Sequence, residues 1–254
     1  MQRGMTVSSS DAPAQADAPD FPYYDGEPAT ISGRRWLVVL VAILVAYGTL
    51  GPLNRLFDGP VTALLPAVVF TGVQLLALLW ATPGHWRAVF RKVTARGLWL
   101  MAGFAALAFL FALGLASFVG GLVGLAPNRE SEIILTASVP ELVTFYPRLA
   151  IQLLGEELLT ILPFLALLTF FTGRATLTRQ QAITRALLIT AVFFGLLHLP
   201  SYDWNLAQSV IVIGGARAVL TLAYVVTKNI WVSTGAHILY DWSLFTITLL
   251  WAGA

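Results

Sequence analysis

IQLLGEELLTILPFLALLTFF, from Ile151 to Phe171, is the stretch on which the fold of this chain turns. Its only formal charges are the adjacent Glu156 and Glu157. A helix needs about 20 predominantly apolar residues to cross a bilayer. Lipid offers no partners to backbone N–H and C=O groups, so such a run must satisfy its own hydrogen bonds as a helix unless it joins a closed barrel. The run does not alternate as a barrel strand would. It therefore reads as a membrane-spanning helix, within an apolar segment near 148–171, that carries two carboxylates in its middle.

Outward from this helix, further apolar runs lie near 36–53, 61–82, 97–125, 182–199, 206–227 and 230–252. The expected fold is thus all-α, a polytopic membrane helix bundle of about seven transmembrane helices. Composition agrees: 57% of the 254 residues are hydrophobic and 11% are charged, against about 25% charged in soluble domains. The 97–125 run exceeds one crossing, so it should tilt or emerge from the membrane. Residues 1–33, rich in Ala, Pro, Ser and Asp, lack an apolar period and read as a disordered tail. Asp11, Asp17, Asp20, Asp25 and Glu27 precede the first run, a pattern unlike a secretory signal. The expected division is a tail at 1–33, N-terminal transmembrane helices at 34–135 and a helical core at 136–254. The 126–147 connection is the one long outer loop.

Lys and Arg accumulate on the cytoplasmic side of short loops. With the N-terminus cytoplasmic, Arg55, Arg129 and Arg148 fall outside, Arg217 lies within the sixth run, and the remaining basic residues sit in inner segments. The formal net charge of +2 is explained by this orientation and needs no nucleic-acid partner. The expected location is the cell membrane, as a multi-pass integral protein with the lipid bilayer as its surroundings. The absence of Cys removes disulfides, thiolate metal sites and a cysteine nucleophile. Tryptophans near span ends read as an interfacial belt, and His85, beside Trp86 and Arg87, as interfacial.

Ionisable residues inside the spans are costly and mark function. They are Glu156 and Glu157 in the fourth run, Arg217 in the sixth, and His237 and Asp241 in the seventh, with His198 at the end of the fifth. Adjacent helical residues point about 100° apart, so one glutamate can face a cavity while the other pairs with a neighbouring helix. His237 and Asp241 share one face by their i,i+4 spacing, and so do Phe194 and His198. Glu156, His198 and His237 could converge from three helices, either to hold a divalent metal such as zinc or to activate water without one. On these boundaries Glu156 and His198 lie toward the outer half, and His237 nearer the inner face.

Taken in order, Glu156-Glu157, Phe194-x-x-x-His198 and His237-x-x-x-Asp241 resemble the CPBP family. This group includes CAAX prenyl endopeptidases and bacteriocin-processing or immunity proteins, and its pattern is E-E-x-x-x-R, F-x-x-x-H and H-x-x-x-N/D on successive spans. The resemblance covers roughly residues 140–252. It implies an intramembrane endopeptidase acting on a peptide or protein substrate, prenylated or not. In it Glu156 and His198 would activate water, while His237 and Asp241 would bind the attacked carbonyl or a metal. The family has been described both as metalloproteases and as metal-independent glutamate peptidases, and both alternatives stand.

One position departs from that pattern. Ile161 occupies the place of the family arginine, and Arg217 is the available replacement, expected to pair with Glu157. The missing arginine keeps a second reading in view: a non-enzymatic bacteriocin self-immunity or scaffold protein with the same fold. Other intramembrane peptidase chemistries are excluded, because the sequence has no H-E-x-x-H, no G-x-S-G around a membrane serine and no G-x-G-D. A proton-coupled transporter would show paired broken helices in two related halves, which are missing.

Overall fold

A computed structural model describes residues 20–59, 61–175 and 177–253. Each apolar run forms a helix: α1 (Gly33–Leu56), α2 (Leu64–Ala81), α3 (Ala95–Val123), α5 (Val139–Gly173), α6 (Arg179–Leu197), α7 (Gly214–Thr227, continuing a π-helical turn at Gln208–Ile213) and α8 (Ile230–Ala252). The outer connection contributes a short α4 (Arg129–Thr136). Among the described residues six helices are long and apolar enough to cross a membrane, α1, α2, α3, α5, α6 and the 208–227 segment. The seventh expected span, α8, has 23 residues but is not among those six. Ser233, Thr234, His237 and Asp241 dilute its apolar character, although it packs within the bundle against α3, α5 and α7.

The protein is a multi-pass integral membrane protein whose central element is α5. Most of its membrane-length window is buried, and it touches α1, α2, α6, α7 and α8. At 1.5 Å per residue its 35 residues extend about 52 Å, well beyond a hydrocarbon layer of about 30 Å. It starts at Ser138, whose backbone N–H donates to the Glu141 carboxylate at 2.7 Å, a capping arrangement that satisfies a donor at the helix entrance. Large apolar side chains such as Leu37, Trp99, Leu110 and Phe118 are exposed on the outer faces of α1 and α3, as lipid contact requires.

Two glycines set the approach of helices around the site. A Cβ on Gly155 would stand 2.5 Å from the Phe70 ring and 2.6 Å from Thr71 Oγ1, so α2 could not lie as close to α5. A Cβ on Gly195 would meet the Ser209 carbonyl oxygen at 2.4 Å. That contact involves backbone, so the π-helical turn lies against α6 only because position 195 has no side chain.

The segment expected as a disordered tail is corrected over the part that the structure describes; residues 1–19 lie outside it. Residues 20–32 form a strap across the ends of α5, α6 and α7, with Phe21, Tyr23 and Ile31 buried in the main core. The Phe21 ring packs on Phe164 and Tyr224. Arg179 Nε donates to Asp20 Oδ2 at 2.8 Å, and the Tyr23 hydroxyl donates to the His85 carbonyl at 2.8 Å. Average polarity hid this order, because three large side chains at irregular spacing supply the buried surface without producing a period. Partial burial would raise the Asp20 carboxyl, but hydrogen bonds from Arg179, Tyr24 and the Phe21 N–H outweigh it and hold the pKa at about 2.

A folded pKa below the ordinary 3.8 means that the Asp20 contribution is fully present above that value and is lost as pH falls through about 2. Thermal unfolding in detergent should show wild type more stable than Asp20→Asn above pH 4, the gap closing toward pH 2. Phe21→Ala should cost about 3–5 kcal/mol, the usual range for a buried Phe.

Candidate active site

On α5, Glu157 turns to the bundle interior and is fully buried, while Glu156 turns to a neighbouring polar cavity. Arg217 arrives from the first turn of α7, 1% exposed, and its Nη1 stands 2.6 Å from Glu157 Oε1. The pairing expected from the sequence is therefore present, the long guanidinium side chain doing from α7 what a residue at 161 could have done from α5 itself. Ile161 is instead buried in the apolar core.

His237, on α8, places Nδ1 3.0 Å from the same Glu157 oxygen and 3.3 Å from Arg217 Nη1. A guanidinium and a carboxylate cannot both bond one Nδ1 in the same tautomer, since Arg only donates and the ionised carboxylate only accepts. The shorter contact decides: Nδ1–H donates to Glu157, and the Arg217 distance follows from two donors sharing one acceptor. His198, the residue closing α6, has Nδ1 2.8 Å from the Phe194 carbonyl, which again assigns the proton to Nδ1. Both imidazoles in their neutral form thus keep a lone pair on Nε2. Glu157 Oε2 and Arg217 Nη2 have no hydrogen-bond partner within the described residues, and Arg217 Nε donates to Thr221 Oγ1 at 3.2 Å.

A cavity of about 130 Å³ is lined by Glu156, His198, Arg217, His237 and Asp241. His237 Nε2 stands 4.0 Å from Glu156 Oε2 and 3.7 Å from Asp241 Oδ2. These spacings are too long for direct hydrogen bonds and within the reach of one bridging water. Glu156 Oε1 accepts from Gln152 Nε2 at 3.0 Å. The Phe194 ring lies 4.3 Å from the His198 ring and 6.3 Å from that of His237, centroid to centroid, and Arg217 lies over it.

All six candidate residues of the sequence thus lie at one locus. The expected difference in depth between His237 and the glutamates is not seen, because α5 overruns the bilayer and hydropathy boundaries misplace the level of its middle. Sequence reasoning missed Gln152, Asn128, Tyr202 and Tyr240, which also line the cavity. Gln152 had a signal, its i,i+4 spacing to Glu156; Asn128 and Tyr202 lie in irregular segments with no period to reveal them. The donors are of the type that zinc accepts. Their arrangement does not fit one: among the described residues no three His, Asp or Glu side chains form a group that could hold a metal ion.

Fold and site together define a multi-pass helical membrane protein organised around a buried ionisable cluster. Residues 138–243 match the family model described as type II CAAX prenyl endopeptidase Rce1-like. This segment, which contains every residue of the cluster, is similar to that family of CAAX-type intramembrane proteases. No curated protein and no solved structure matches the chain.

Removing one partner of a buried ion pair strands the other charge and costs about 3–5 kcal/mol. Arg217→Ala should therefore destabilise the protein by that amount in reversible SDS unfolding. The Arg217→Ala/Glu157→Gln double variant should lose clearly less than the two single losses combined, as expected of residues in contact.

Proposed function

We propose that this protein is an intramembrane endopeptidase that cleaves membrane-associated peptides, prenylated ones among them, with water activated by Glu156 and His198. The observation that carries this reading is the posture of Glu156. It is the cavity-facing member of the glutamate pair, oriented by Gln152 and paired with no Arg or Lys among the described residues, while its neighbour Glu157 takes up Arg217. A carboxylate held in this way accepts a proton from a water it orients.

Glu156, assisted by the Nε2 lone pair of His198, removes a proton as the water oxygen attacks the peptide carbonyl carbon. The tetrahedral intermediate then collapses, the C–N bond breaks, and Glu156 returns the proton to the leaving nitrogen. Products are a carboxylic acid and an amine, the acid's proton then passing to the amine or to solvent. His237, held by Glu157, and Asp241 flank the cavity and position the attacked group. These steps use the protein's own side chains alone, and the described residues gather no group of three metal ligands. The non-enzymatic alternative drew its weight from Ile161, and Arg217 supplies the charge missing there.

Protein in nanodiscs should cleave members of a peptide library presented with and without a prenyl group. Glu156→Gln and His198→Ala should each slow cleavage by about 10²–10⁴-fold, the range for general acid–base groups. Treatment with a chelator should leave the rate unchanged. A loss restored by added zinc would move the activated water onto a metal, and undiminished cleavage by both variants would remove these residues from the chemistry.

A further inference from the structure

The cavity is rich in acceptors, and few of its donors are aimed by a hydrogen bond within the described residues. Glu156 and Asp241 only accept when ionised, an imidazole in its neutral form with the proton on Nδ1 presents a lone pair, and Arg217 commits Nη1 to Glu157 and Nε to Thr221, leaving Nη2 as a donor without a partner among the described residues. Hydrolysis of an amide builds negative charge on the carbonyl oxygen, which needs a preorganised donor. The connection between α3 and α5 orients one.

Asn128 precedes α4, and its Oδ1 accepts from the Glu130 backbone N–H at 2.8 Å. A backbone N–H can only donate, so this bond fixes which end of the amide is oxygen. The NH2 end therefore faces Tyr202, whose hydroxyl oxygen lies 2.8 Å from Asn128 Nδ2. Because an amide NH2 cannot accept, the tyrosine oxygen is the acceptor, and its own proton points elsewhere. That hydroxyl proton has no acceptor among the described residues, and Tyr202, a buried residue, lines the cavity containing Glu156, His237 and Asp241. Ser201 and Tyr240 line it too, but no hydrogen bond with a described side chain fixes either hydroxyl.

We infer that Tyr202, oriented by Asn128, is a further catalytic residue that donates its hydroxyl hydrogen bond to the carbonyl oxygen of the peptide under attack. The inference rests on the peptidase reading above. No proton changes hands in this step: the hydrogen bond strengthens as charge grows on the oxygen and relaxes when the C–N bond breaks. Burial, with the neighbouring charge of Asp241, pushes the Tyr202 hydroxyl above its ordinary pKa against the opposing bond from Asn128, so it remains a donor across the working pH range.

The test compares wild type, Tyr202→Phe, Tyr240→Phe and Glu156→Gln in nanodiscs on a cleaved library peptide and on its phosphonamidate analogue, a tetrahedral anionic mimic. Tyr202→Phe should lower kcat about 10²–10³-fold, as loss of one oxyanion donor does, with KM nearly unchanged and the unfolding midpoint preserved. It should also weaken the phosphonamidate at least tenfold while binding the carbonyl peptide as wild type does, and Tyr240→Phe should do neither. Wild-type kcat and phosphonamidate affinity in Tyr202→Phe, with Glu156→Gln inactive, would overturn this inference and leave the peptidase reading standing. Cleavage undiminished in Glu156→Gln, or a wild-type protein that neither cleaves nor binds the analogue, would overturn both.

Discussion

A carboxylate and a guanidinium share the interior of this bundle with almost no access to solvent, and the rest of the site depends on that contact. Neither Glu157 nor Arg217 could remain charged there alone, because an unpaired ion loses solvation that the apolar helices around it cannot replace. Together, 2.6 Å apart, they join α5 to α7, and the oxygen they share also takes the Nδ1 proton of His237, adding α8. Three helices are thereby registered at one level in the membrane. Buried ion pairs are weak evidence for net stability; here the pair contributes orientation, since it fixes the tautomer of His237 and so decides what Nε2 presents to the cavity.

Division of labour between two adjacent glutamates follows from helix geometry. About 100° separates their side chains, enough to place one among the packed helices and the other on the cavity wall. Gly155, immediately before them, lets α2 close on the opposite side of α5, and Gly195 lets the π-helical turn approach α6 near His198. Close backbone approach on both flanks leaves a small polar space between tightly packed walls. Rotamers held by packing and by outer hydrogen bonds are what a reactive constellation requires, and Gln152 on Glu156 and the Phe194 carbonyl on His198 provide such bonds.

The departure at position 161 illustrates how a charge can be supplied from a different place in a sequence without changing its place in space. Ile161 lies one turn beyond Glu157 on α5 and packs among apolar neighbours, while Arg217 reaches Glu157 from the facing helix. What the carboxylate needs is a donor at hydrogen-bond distance with its own stem shielded from lipid, and the long arginine side chain satisfies that from α7. Phe194 closes the arrangement, its ring lying beneath Arg217 and beside both histidines.

The sequence by itself determined the membrane class, the position of every long helix and the six ionisable residues of the site. Apolarity and i,i+4 spacing are local properties, and lipid leaves a spanning segment little choice but a helix. It could not determine the order of residues 20–32, because their burial depends on Phe21 and Tyr23 meeting partners on α5, α7 and the α2–α3 connection. Nor could it determine the shared level of Glu157 and His237, eighty positions apart, or the bond between Asn128 and Tyr202, seventy-four apart. Those contacts leave no period in the chain, since they are set by helix tilt, by the close approaches at Gly155 and Gly195, and by the need of each buried donor and acceptor to find a partner. Only the tertiary structure could make those choices, and with them it gathered six scattered ionisable residues at one polar cavity, five on its wall and Glu157 behind them.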